Sequence, residues 1–193
     1  TNIHLHHPCD WNLAGKQKKF IVTGNDTMKT LFLIRHAKSS WSIPELDDAD
    51  RPLNERGNRD APLMAQRMAL NWSPPERIIC SRALRARETA EILNQSWWKG
   101  RNIEIDGKLY EESASSILDI IAQTSAKFNS LALVFHNPTI TYLSNVLAAL
   151  TIPNIPTCGI VILKLQVTEW EKVQPGTCEL LDFDFPKRKH ELS

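Results

Sequence analysis

The chain has 193 residues, 42% of them hydrophobic, with 23 basic against 22 acidic side chains. That length and apolar fraction suit one domain around one sizeable core. The near-zero net charge excludes a broad basic face for nucleic acid or an anionic membrane, so any anion site must be local.

Residues 1–27 show neither a basic start followed by an apolar stretch nor a helical period. They read as an N-terminal extension, flexible or tag-like, with Met28 as the start of the folded unit. Thr30 to Ile34 is a short apolar run that stops at Arg35 and His36, the pattern of a buried strand ending at a polar loop. Lys38 to Arg56 is polar and carries Pro44, Pro52 and the acidic residues Asp47, Asp48 and Asp50, so it reads as a long loop with a solvated acidic cluster. Ala61, Met64, Ala65, Met68 and Ala69 recur at helical spacing, with Asn54 as the cap of a helix that begins near Glu55 and contains Pro62.

Arg77 to Cys80 reads as a second strand, and Leu84 to Leu93 is rich in helix formers. Ile103 to Ile105 reads as an edge strand. Ile117, Leu118 and Ile121 mark a helix preceded by candidate caps at Ser113, Ser115 and Ser116. Leu131 to Phe135 is a further strand, and Ile140, Leu143, Leu147 and Leu150 keep helical spacing after Thr139. Gly159 to Val167 and Glu179 to Phe185 read as a closing antiparallel pair, and residues 187–193 as a basic tail. Alternating strands and helices predict an α/β three-layer sandwich with a mixed, mainly parallel central sheet flanked by helices.

Cys9, Cys80, Cys158 and Cys178 lie far apart with no CxxC pair, which suits free thiols in a reducing, cytoplasmic setting. The longest apolar runs fall far short of the roughly 20 residues of a membrane helix. His4, His6 and His7 superficially resemble metal ligands, but no second cluster completes a site.

Ligands of open α/β sheets bind beyond the carboxyl ends of the strands. Here the first strand ends in Arg35 and His36, the second in Ser81, Arg82 and Arg85, and a third in His136 and Asn137. Guanidinium groups match phosphoryl oxygens two-pronged, and an imidazole either donates to an oxygen or attacks phosphorus. There is no GxxxxGK[ST] loop, no HExxH and no cysteine in a phosphate-cradling loop. A histidine nucleophile is what remains.

The stretch LIRHAKSSW at 33–41 resembles the signature of the histidine phosphatase superfamily. DRPLNERG at 50–57, SRALRARETAEIL at 81–93 and LVFHNP at 133–138 resemble its SixA-type phosphohistidine phosphatase branch. The resemblance spans residues 28–186 and implies a phosphoglycerate mutase-like fold. It implies His36 as the nucleophile, Arg35 and Arg85 as phosphate-binding arginines and His136 as the second histidine. Arg82 and Arg87 match no such position and read as surface charges.

Ala37 stands where many members have glycine, and Phe135 stands where relatives usually have glycine, which predicts a reshaped pocket wall or a shifted His136. No motif supplies the carboxylic acid used by mutase-like relatives. Glu111 and Glu112 are the candidate donors, and Ser39, Ser40 and Asn137 are candidate substrate contacts. An imidazole leaving group, with a conjugate acid of pKa about 6.5, needs little acid assistance.

The expected activity is therefore hydrolysis of phosphohistidine in proteins through a phosphohistidine enzyme, with no metal or cofactor and no nucleic-acid or membrane partner. A phosphomonoesterase for small phosphate esters uses the same pocket. A phosphate-binding module without turnover is the alternative from another class.

Overall fold

The computed structural model describes residues 29–111 and 113–188, with the Glu111 side chain outside that set. The expectations for the N-terminal extension, Cys9, the His4, His6 and His7 group, Glu112 and the last five residues lie outside the described residues.

Six strands form one sheet: β1 Thr30–Arg35, β2 Arg77–Ser81, β3 Glu104–Asp106, β4 Ser130–Phe135, β5 Ile160–Leu165 and β6 Cys178–Asp184. Their spatial order is β3-β2-β4-β1-β5-β6. β3, β2, β4 and β1 run parallel; β5 is antiparallel to β1, and β6 is antiparallel to β5, so β6 runs in the direction of the parallel set. This is the expected mixed sheet, and it inserts β4 between β1 and β2.

Strand side chains alternate between the two faces, and in the inner strands both faces are apolar, as burial under two helical layers requires. Phe32, Ile34, Ala132 and Val134 meet the inward residues of α1 (Glu55–Asn71) and α2 (Leu84–Leu93). Leu31, Leu33, Leu131, Leu133 and Phe135 meet α4 (Ala114–Ala122) and α5 (Thr139–Ala148) on the other side. A short α3, Lys108–Glu111, follows β3.

The helix ends follow the local sequence. Asn54 caps α1 by accepting from the Gly57 amide at 3.0 Å, and Ser113 caps α4 by accepting from the Ser116 amide. α1 runs through Pro62, which costs one intrahelical donor without ending the helix. α2 continues into a π-helical turn, Asn94–Trp98, that sends Trp97 and Trp98 into the core. Cys80, Cys158 and Cys178 are buried free thiols. No helix of the described residues is long and apolar enough to cross a membrane.

The segment between β1 and α1 is tied to the domain at its two ends, while residues 41–48 stay exposed. Ser39 bridges to Leu53, Asp48–Asp50 forms a 3-10 turn, and the Leu53 amide donates to the Glu88 carboxylate of α2 at 2.6 Å. Its entry is braced by the first turn of α1, where the Lys38 carbonyl accepts from the Asn54 amide at 3.0 Å.

A Cβ on Gly57 would lie 2.3 Å from that carbonyl, a backbone atom with no freedom to yield. Gly57→Ala is therefore expected to lower unfolding stability by about 1–3 kcal/mol through overpacking. Denaturant titration reads this as a lower midpoint with an unchanged slope.

Candidate active site

The sheet order brings the ends of β2, β4 and β1 side by side. β1 and β4 pair in parallel register, Thr30 with Ser130 through Arg35 with Phe135. The next residue on each strand is a histidine, so His36 and His136 leave the sheet at the same level. Their ring centroids are 4.9 Å apart, close to the inter-strand spacing itself.

Phe135 and His136 face different surroundings. Alternation turns Phe135 into the α4/α5 core, where it is 1% exposed, and leaves His136 on the opposite side.

His36 Nδ1 lies 2.7 Å from the Ala37 carbonyl oxygen. A carbonyl only accepts, so Nδ1 carries the proton and Nε2 keeps its lone pair. The Ala37 amide in turn donates to Thr89 Oγ1 at 2.9 Å, and Thr89 donates to the Arg85 carbonyl at 2.6 Å. The loop carrying His36 is thus pinned to the helix carrying Arg85. Burial lowers the His36 pKa to about 3, helped by His136, Arg85 and Arg35 against the opposing pull of the Ala37 carbonyl.

His136 Nε2 lies 2.8 Å from the hydroxyl of the fully buried Ser81. That hydroxyl also accepts from the Ala83 amide and keeps a second lone pair, so both tautomers fit it; the one in which Ser81 donates to Nε2 carries the His136 proton on Nδ1. Nδ1 of His136 and Nε of Arg35 are buried and have no hydrogen-bond partner among the described residues. Burial, with Arg85 second, lowers the His136 pKa to about 3 despite the opposing charge of Asp48.

Arg35 donates from Nη1 to the Ile155 carbonyl at 2.5 Å and lines a cleft of about 560 Å³. Asn137, Thr141, Tyr142 and Asn154 form other parts of its wall. Asn137 braces this cleft: its amide donates to Asn154 Oδ1 at 2.7 Å and to Ile155, and its oxygen accepts from Thr141.

Arg85, on the first turn of α2, is only 6% exposed and meets Asp48. Nη2 donates to Asp48 Oδ2 at 2.8 Å, and Nη1 donates to the Asp48 main-chain carbonyl.

This corrects the reading of Asp48 as part of a solvated cluster. The 3-10 turn folds its carboxylate back onto α2, where Tyr110 also donates to Oδ2 at 2.8 Å and Arg51 meets Oδ1 at 2.5 Å. These donors hold Asp48 ionised, with its pKa lowered to about 2 against the desolvation that opposes them.

The structure pairs His36 with His136 and places Arg35 and Arg85 near enough for their charges to act on both rings, while the cleft that Arg35 lines is walled by neither histidine nor Arg85. It gives Ser39 and Ser40 other work: the Ser39 hydroxyl accepts from Arg51 at 2.7 Å, and the Ser40 hydroxyl pairs with Ser42. Glu111 ends α3, but its side chain and all of Glu112 lie outside the described residues. Arg87 is exposed, whereas Arg82, also exposed, stacks over the Tyr110 ring at 4.5 Å.

Sequence reasoning placed Ser81 at the ligand edge without a role, and missed Asp48, Arg51, Tyr110 and Thr89 as parts of the site. Ser81 and Thr89 sit in the same stretch as Arg85, and Arg51 in DRPLNERG, so the motif segments held a signal. Tyr110 had none. Among the described residues no group of three or more His, Cys, Asp or Glu side chains is placed to hold a metal ion.

Paired neutral imidazoles flanked by guanidinium groups, at the carboxyl edge of a parallel sheet, define an α/β protein equipped for an oxyanion. The comparisons agree with that chemistry. Residues 31–117 match the model of the histidine phosphatase superfamily (branch 1). The uncharacterized protein Rv1276c of Mycobacterium tuberculosis is 30% identical over 165 residues, 80% of this chain and 100% of that one. A provisionally named SixA phosphohistidine phosphatase of Agrobacterium tumefaciens superposes with TM-score 0.70 at 27% identity, covering 82% of this chain and 98% of its own. The protein histidine phosphatase SixA complexed with tungstate shares the fold, with TM-score 0.70 at 23% identity over 81% of this chain and 97% of that one.

The chain belongs to the histidine phosphatase superfamily, in its SixA-type branch, and is a phosphatase acting on a phosphorylated substrate.

The lowered histidine pKa values have a definite sign. Below pH about 6.5 the unfolded chain takes up protons that the native state refuses, so stability is full above that pH and is lost as pH falls toward about 3. Imidazole carbon shifts of His36 and His136, followed by NMR in the folded protein, are expected to stay flat from pH 8 to pH 5. Titration of either ring near 6.5 would contradict the desolvated environment.

Proposed function

We propose that the chain hydrolyses phosphohistidine in proteins through a phosphoenzyme formed at His36, without a metal ion. The observation that carries this reading is the state of His36. Its Nδ1 proton is committed to the Ala37 carbonyl, the ring is neutral, and Nε2 is left as the nucleophilic nitrogen.

In the first step Nε2 of His36 bonds to phosphorus while the bond from phosphorus to the substrate imidazole breaks. The substrate ring carries its proton on its other nitrogen, so the departing nitrogen keeps the bonding pair and the ring leaves as neutral imidazole. In the second step a water oxygen bonds to phosphorus, the bond to Nε2 breaks, and inorganic phosphate leaves with the water protons distributed between it and solvent. Arg35, Arg85 and the Nδ1 proton of His136 serve the three equatorial oxygens, where the transition state concentrates negative charge. The unpartnered Nδ1 of His136 and Nε of Arg35 support this role, since a phosphoryl oxygen gives each buried donor an acceptor.

The leaving group supports the substrate class, judged on the described carboxylates alone. Asp48, the described carboxylate bonded into this cluster, is ionised and held by Arg85, Arg51 and Tyr110, so it has no proton to give near neutral pH. An alkoxide needs such a proton on leaving; an imidazole, with a pKa of about 6.5 for its conjugate acid, needs far less.

Phosphohistidine hydrolysis is expected from the wild type and is expected to persist in excess chelator. His36→Ala is expected to lose turnover by at least about a thousandfold and to form no acid-labile phosphoenzyme under rapid quench. Full activity of His36→Ala sinks the nucleophile, loss with chelator sinks metal independence, and turnover confined to sugar and nucleotide phosphates sinks the substrate class.

A further inference from the structure

Asp48 is half exposed, yet both carboxylate oxygens and its main-chain carbonyl are committed. Oδ1 meets Arg51, Oδ2 accepts from Arg85 and Tyr110, and the carbonyl accepts from Arg85. Arg51 is itself fixed. It donates to the Ser40 carbonyl at 2.9 Å and to the Ser39 hydroxyl, and lies 3.2 Å from the centroid of the Trp41 ring.

We propose that Asp48 is a positioning residue for phosphoryl transfer: its main-chain carbonyl and its carboxylate clamp the Nη1–Nη2 edge of Arg85, leaving the Nε side of the guanidinium for the phosphoryl group. The inference rests on the assignment of Arg85 to the phosphoryl group made above.

The pattern of contacts separates a clamp from a competitor for the anion site. A carboxylate standing in for phosphate would meet the guanidinium with both of its oxygens, two-pronged. Here only Oδ2 meets Arg85, and Oδ1 turns to Arg51. The second bond from Arg85 goes to a backbone carbonyl, which an incoming anion displaces only by refolding the turn Asp48–Asp50. A guanidinium held from the main chain enters the reaction already oriented and loses no rotamer freedom at the moment of transfer. Tyr110 completes the clamp. Its hydroxyl sits on Oδ2, and its ring meets His136 edge-on at a centroid distance of 5.6 Å, so the same residue touches the second imidazole.

The test is a double-mutant cycle on kcat with a phosphohistidine peptide, paired with tungstate inhibition. Asp48→Ala is expected to lower kcat about 10- to 100-fold, in line with the cost of a small misplacement. Asp48→Asn, which keeps an acceptor oxygen, is expected to recover part of that loss. In an Arg85→Ala background, Asp48→Ala is expected to change kcat by no more than about threefold, because the clamp needs Arg85 and only the contacts of Asp48 with Arg51 and Tyr110 and its charge near His136 remain.

Unchanged kcat in Asp48→Ala overturns the clamp. So does a rise in kcat/KM with tighter tungstate binding, which is the signature of a competitor, or a full additional loss on top of Arg85→Ala. If Asp48→Ala does not fold, Asp48→Asn carries the same cycle. Wild-type turnover by Arg85→Ala means that the phosphate assignment of Arg85 fails. A slow Arg85→Ala beside a fast Asp48→Ala means that the Asp48 inference alone fails.

Discussion

The parallel, in-register pairing of β1 with β4 is the constraint on which the rest of the site depends. It sets the histidine that ends each strand at one level, about one strand spacing apart, before any side-chain contact is made. Insertion of β4 between β1 and β2 then brings the Ser81 hydroxyl to one imidazole and the first turn of α2, with Arg85, to the other side. A one-residue slip in that pairing would exchange His136 with Phe135 and bury the imidazole in the α4/α5 core. The apolar alternation on both faces of β1 and β4 guards against it, because a slip would also move Val134, Leu133 and Ala132 to the wrong layers.

The electrostatic arrangement is a balance between burial and charge. Desolvation by the surrounding core keeps both rings neutral, and the guanidinium groups of Arg35 and Arg85 add to that effect. The same guanidinium groups attract anions, so in the proposed mechanism one pair of residues would both keep the imidazole neutral and draw in the phosphoryl group. Asp48 moderates this field. Its charge opposes the lowering of the His136 pKa, and its carboxylate and main-chain carbonyl accept from Arg85, one of the two positive groups.

The strands, helices and their order were legible in the sequence because the apolar periods are regular and the caps, Asn54 and Ser113, are of the expected types. The two histidines and two arginines were legible because each ends a strand or opens the helix after one. What was hidden lies in contacts between distant positions. Asp48 reaches Arg85 across 37 residues, and Tyr110 reaches Asp48 across 62. A polar loop with three aspartates looks alike whether it is solvated or folded back on a helix, and only the turn geometry decides. Ser39 and Ser40 were drawn toward phosphate by nearness in sequence, but the bridge from Ser39 to Leu53 turns that strand of chain toward Arg51 instead. Phe135 was read against its neighbour in the chain, whereas alternation gives the two residues separate surroundings.

The enclosed thiols carry a consequence for the conditions under which such an enzyme keeps working. Burial pushes the Cys80 and Cys158 thiols far above their ordinary range and Cys178 up to about 11, so the described cysteines hold almost no thiolate at neutral pH. Peroxide attacks thiolates, and phosphatases that depend on one are silenced by it through sulfenic acid formation. Among the described residues, phosphoryl transfer by the proposed route to the nitrogen of His36 uses no thiolate that peroxide could oxidise.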